Sequence, residues 1–148
     1  MARHLGIDYG RRRIGLAISD SAGRLASPSG TLPSAGEPSI DARNVVDWAD
    51  REGVEAYVVG LPLNMDGTEG PQARLSRRFA DALQEASGGK SVVMWDERLS
   101  SFAADQVLDG THLSRGKRAK HRDRIAAQII LQSYLDARTR PHSNGGAA

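Results

Sequence analysis

His4-Leu5-Gly6-Ile7-Asp8-Tyr9-Gly10-Arg11-Arg12-Arg13-Ile14-Gly15-Leu16-Ala17-Ile18-Ser19 sets two short apolar runs on either side of an arginine-rich turn. Each run has strand length, and so short a connection favours an antiparallel hairpin. The first run closes on an acid, Asp8, just before Gly10. The region between Gly23 and Leu32 can hold a third, shorter strand, and Pro33 to Pro38 reads as a loop rich in Pro, Ser, Gly and Ala.

Beyond that loop the pattern changes. Ser39 or Asp41 can cap a helix in which Val45, Trp48 and Ala49 recur at helical spacing, closed by Gly53. Ala56-Tyr57-Val58-Val59-Gly60-Leu61 is a continuous apolar run, which suits a buried parallel strand. Leu75, Phe79, Ala82, Leu83 and Ala86 mark one face of a second helix that ends at Gly88-Gly89. Ser91 to Trp95 reads as another buried strand with Asp96-Glu97-Arg98 at its carboxyl end. Ser100 or Ser101 can cap a third helix through Leu108, and a last helix is expected from about Arg122 to Ala137. The order is β-β-β-α-β-α-β-α-α: an α/β domain over residues 1–138, with 139–148 expected to be a disordered tail.

The 148 residues fit one domain, with 39% hydrophobic and 26% charged residues. The absence of cysteine excludes a disulfide scaffold, a thiolate zinc site and a cysteine nucleophile. No run approaches the roughly 18 apolar residues of a membrane helix, and no apolar leader precedes the first strand, so a cytoplasmic protein is expected. The net charge is only +2, but cations cluster at Arg11, Arg12 and Arg13, and again at Arg115, Lys117, Arg118, Lys120, Arg122 and Arg124. Such clusters can bind a polyanion or form a plain solvated face.

Three acids stand out by position. Asp8 ends the first strand, Glu97 ends the last and Asp123 begins the last helix. Ala126, Ala127, Ile130 and Tyr134 share a face with Asp123, so that face is expected to pack on the sheet and turn Asp123 toward it. Sites in open sheets form at the carboxyl ends of strands. Clustered carboxylates repel unless a cation neutralises them, and oxygen donors suit Mg²⁺ or Mn²⁺. Two such ions roughly 4 Å apart activate water and stabilise the leaving oxygen of a phosphodiester. On spacing alone each acid can equally be structural: Asp8 shaping a turn, Glu97 paired with Arg98, Asp123 a helix cap.

Four motifs carry a family resemblance. They are Gly6 to Gly10 followed by Arg13 to Ala17, then Val59-Gly60-Leu61-Pro62-Leu63-Asn64-Met65-Asp66-Gly67, then Asp96 to Ser101, then Asp123 to Leu135. In this order they resemble the YqgF family of Holliday-junction-resolvase-like proteins. The resemblance implies a ribonuclease H-like fold, with a mixed central sheet and helices on both faces. It also implies a nuclease with a metal site of Asp8, Glu97 and Asp123, acting on the 5′ end of the 16S rRNA precursor. The matching alternative is a Holliday junction resolvase acting on branched DNA. Arg11, Arg13, Asn64, Arg98, Lys117, Arg118 and Lys120 are the candidate nucleic-acid contacts, and a monomer or a homodimer is expected.

The chain departs from the true resolvases, which carry an acid at the end of the strand matching Tyr57 to Gly60. Here that strand ends in Gly60-Leu61-Pro62, and Glu97 would have to substitute. Two other readings compete. One is an ATP-binding protein of the actin and hexokinase type, for which the second domain and second glycine-rich phosphate turn are missing. The other is a non-catalytic RNA-binding module.

Overall fold

A computed structural model describes residues 2–99 and 115–139. Five strands form one sheet: β1 (His4–Tyr9), β2 (Arg13–Ser19), β3 (Ala26–Pro33), β4 (Ala56–Leu61) and β5 (Ser91–Asp96). Their order is β3-β2-β1-β4-β5. The first three pair antiparallel, whereas β4 runs parallel to both β1 and β5. Helices α1 (Pro38–Arg51) and α2 (Pro71–Ala86) make the crossovers, and α3 (Arg115–Thr139) closes the chain. A single 3₁₀ turn, Glu97–Leu99, follows β5.

Side chains alternate across a strand with period two, and that alternation divides the core. Leu5, Ile7 and Tyr9 of β1, Ile14 and Leu16 of β2, and Tyr57 and Val59 of β4 pack with Val45, Ala49, Phe79 and Leu83 of α1 and α2. The other face carries Ala17 and Val58 against Ala127, Ile130, Leu131 and Leu135 of α3. Helices therefore cover both faces, as expected. Every residue of β4 is buried, which explains its unbroken apolar run.

The α3 face is built for close approach. A Cβ added to Gly6 would stand 2.6 Å from Leu131 Cβ and 2.9 Å from the Ala127 carbonyl, and one on Gly15 would run into the carbonyl of Asp123. Only glycine lets the helix backbone settle on the sheet there.

Several expectations change. The third strand is not short; it spans eight residues and forms the sheet edge. Much of it is exposed, so it lacks the apolar alternation that marks a strand, and α3 protects it. Gln132 accepts from the Ala26 amide, while Gln128 donates to the Ala26 carbonyl. The expected loop shrinks because Pro33 belongs to β3 and Pro38 opens α1. Neither Ser39 nor Asp41 caps α1; the cap position is Glu37, and it makes no side-chain cap bond. The last helix begins at Arg115, well before Arg122, and runs through Thr139. Its first turns carry no apolar spacing, so they read as loop. Thr139, expected to open the disordered tail, instead ends α3; the helix expected from Ser100 or Ser101 to Leu108 and the rest of the 139–148 tail lie outside the described residues.

Candidate active site

Asp8 faces α3 because it is two residues from Gly6 on the same strand face. It pairs across the hairpin with Gly15, and the preceding Ile7 pairs with Val59 of β4, which places Asp8 beside Gly60. Gly15 is also where α3 presses closest, at Asp123. Glu97 follows β5 and folds over the end of β4: a Cβ on Gly60 would stand 2.8 Å from Glu97 Oε2 and 3.0 Å from Glu97 Cγ. Acids distant in sequence thus gather at the carboxyl ends of the parallel strands.

Their charges act on one another. Burial first, then the charge of Asp123, pushes the Asp8 carboxyl up from 3.8 to about 6. Burial, then Asp8, then Asp96 pushes Glu97 up from 4.5 to about 8. Asp8 is therefore the middle member, felt by Glu97 and feeling Asp123. Asp123 is not a helix cap, since it stands more than two turns inside α3. Its Oδ2 accepts from Arg13 Nε at 2.6 Å, in a pair partly shielded from solvent.

Half-buried, mutually repelling oxygen donors suit a hard divalent cation. Among the described residues, no group of three or more His, Asp or Glu is arranged to hold a metal ion. The donor chemistry fits, and the rotamer of Asp123, turned to Arg13, does not.

The expected nucleic-acid contacts divide. Arg11, Lys117 and Lys120 are exposed, and Arg11 Nε donates to Gln72 at 3.3 Å. Lys117 and Lys120 ride on the first turns of α3, not on a loop. Arg118 lies in the same helix, and its side chain falls outside those described. Asn64 is committed to its own turn: its amide side chain donates to Thr68 Oγ1 at 2.9 Å and its carbonyl accepts from Gly67 at 2.8 Å. Arg98 pairs with Asp96 through Nε and Nη2, not with Glu97, and its Nη1 donates to the Met65 carbonyl at 3.4 Å. Arg98 thereby ties the 62–70 loop to the end of β5.

Two supports were not anticipated. Tyr9, adjacent to Asp8, donates to the fully buried carboxylate of Asp41 at 2.6 Å and stacks on Phe79 with ring centroids 4.1 Å apart. Ser34 Oγ and the Ala35 amide also donate to Asp41. Gln72 donates to the Tyr9 carbonyl at 2.9 Å. The end of β1 is thus pinned from both α1 and α2. The only sequence signal was an acid in the first turn of a helix, which equally marks a simple cap.

A family model described as "RuvX: Holliday junction resolvase" matches residues 2–137. A Chloroflexus aggregans protein named "Putative pre-16S rRNA nuclease" is 47% identical over 137 residues, covering 93% of this chain and 95% of its own. A Myxococcus xanthus protein of the same name is 42% identical over 142 residues, covering 96% and 93%. Among solved structures, Thermus thermophilus RuvC in complex with a Holliday junction substrate matches with a TM-score of 0.59 at 18% identity, covering 94% of this chain and 98% of that one. At that identity the likeness is one of fold, and it bears out the expected ribonuclease H-like architecture.

Proposed function

The chain belongs to the RuvX family of Holliday-junction-resolvase-like proteins, and from that membership we propose a metal-dependent nuclease that trims the 5′ end of the 16S rRNA precursor. The observation that carries this reading is the convergence of Asp8, Glu97 and Asp123 at the carboxyl ends of the parallel strands β1 and β4, with Asp8 displaced upward by burial and Asp123, and Glu97 by burial and Asp8. Those three residues would hold Mg²⁺ or Mn²⁺. The bound ion supplies an activated water and charge neutralisation at the phosphodiester.

The chain's own residues set the conditions. Asp8 lies on a strand end pinned by the Tyr9–Asp41 bond and by Gln72, so the backbone that carries its carboxylate is held in place. Burial and the neighbouring charge of Asp8 raise the Glu97 carboxyl, and a bound cation would relieve that repulsion and hold it as a carboxylate ligand. Arg11, Lys117 and Lys120 line the approach as exposed cations and bind phosphates without regard to sequence. No helix among the described residues is long and apolar enough to cross a membrane, and we place the protein in the cytoplasm with its rRNA substrate.

The test is cleavage by purified protein of precursor 16S rRNA beside a four-way DNA junction, with Mg²⁺ or Mn²⁺. Cutting of the rRNA alone supports the reading. Symmetric cutting of the junction alone replaces it with a dimeric resolvase. Binding without cutting of either replaces it with an RNA-binding module.

A further inference from the structure

We propose that Arg13 is a gate on this metal site: its guanidinium holds Asp123 in the metal-free protein and must leave that carboxylate before an ion can be bound, becoming free to grip a substrate phosphate. The inference rests on the metal-dependent reading above. Arg13 opens β2, and its backbone is fixed by the tight turn in which the Gly10 amide donates to the Arg13 carbonyl at 3.0 Å. A Cβ on Gly10 would stand 2.6 Å from that carbonyl oxygen, so the turn needs its glycine.

From this fixed base the side chain reaches Asp123 Oδ2 at 2.6 Å. A charge-assisted bond this short occupies the oxygen a cation would use, and the permanent charge of arginine repels an incoming ion. The neighbouring Arg11 and Arg12 are exposed, whereas the Arg13 side chain is only 33% accessible and its partner 20%. Arg13 alone of the three is turned inward. Released, it stands at the mouth of the site with five N–H donors for phosphate oxygens. Ion binding and phosphate binding then favour one another, because each draws on the same broken pair.

The test compares wild type with Arg13→Gln and Arg13→Lys. Mn²⁺ titration by calorimetry should show Arg13→Gln binding about tenfold more tightly, a change of about 1.4 kcal/mol, with Arg13→Lys between the two. Melting should show Arg13→Gln less stable than wild type in EDTA, with the gap closing at saturating Mn²⁺. RNA cleavage by Arg13→Gln should nevertheless be slower, so ion affinity and turnover move in opposite directions. If Arg13→Gln binds Mn²⁺ no more tightly than wild type, Arg13 merely orients Asp123 and the gate is wrong. If neither wild type nor Arg13→Gln binds Mn²⁺, the metal-dependent reading fails, and the gate with it.

Discussion

Glu97 reaches back across the end of β4, its Oε2 2.8 Å from the point where a Cβ on Gly60 would stand. The chain thereby offers an acid where the strand itself has none. The same absent Cβ would lie 2.7 Å from Ile130 Cδ1, so glycine makes room for the acid and the helix together. Gly60→Ala should displace Glu97 and lower cleavage about tenfold to a hundredfold, the scale set by misplacing a reacting group by about 1 Å. Overpacking should also destabilise the domain by about 1–3 kcal/mol. Kinetics beside a chemical melt checks both; wild-type cleavage would show that Glu97 does not depend on Gly60.

Stability in metal-free buffer should depend on pH through the same carboxyls. Asp8 is raised to about 6 and Glu97 to about 8, above their ordinary 3.8 and 4.5. The folded state therefore keeps protons that the unfolded chain releases. The resulting stabilisation is complete below about pH 4 and is lost as pH rises through about 6 and then about 8. At pH 8 in EDTA, Asp8→Asn should melt about 3 °C above wild type, the size of a roughly 1 kcal/mol change in a domain of this length. The difference should vanish near pH 4. Equal melting at both pH values would contradict the placement of these charges.

Two tyrosines should respond oppositely to loss of their hydroxyls. Tyr9 donates to Asp41, which would otherwise be left short of a partner in the core. Tyr9→Phe should cost about 1.5–3 kcal/mol. The Tyr57 hydroxyl is buried with no hydrogen-bond partner among the described residues. Tyr57→Phe should be neutral or stabilising by up to about 1 kcal/mol. Urea titrations of the two variants settle the contrast.

Nucleic-acid affinity should carry the signature of phosphate contacts. Lys117→Ala with Lys120→Ala should weaken RNA binding regardless of sequence and reduce the slope of log affinity against log salt by about two units. An unchanged slope would make the first turns of α3 a solvated face only.

Much of this arrangement was legible in the residues. The hairpin around Arg11 to Arg13 and the buried run Ala56 to Leu61 have patterns that only a few elements share, and Asp8 and Glu97 stand where strand ends place functional groups. Other features left no local trace. Arg115 to Arg122 has no apolar period, so spacing alone places the start of the helix that carries Asp123 too late. The edge strand β3 is exposed and alternates poorly. Asp41 looks like any cap until Tyr9, distant in sequence, is folded against it. The pairings of Arg13 with Asp123 and Arg98 with Asp96 are rotamer choices made by tertiary packing, beyond the reach of spacing.

The most direct measurement is metal-dependent cleavage of precursor 16S rRNA by Asp8→Asn beside wild type. Asp8 is the acid that neighbours both others, so its loss should lower the rate at least roughly a thousandfold, about 4 kcal/mol of transition-state stabilisation. Glu97→Gln and Asp123→Asn should also be severe, and the triple variant little worse than the worst single one, because the acids act as a unit. Melting in EDTA, where Asp8→Asn should be at least as stable as wild type, separates lost chemistry from lost fold. An Asp8→Asn protein that melts normally and still cuts the rRNA at nearly the wild-type rate would contradict the site.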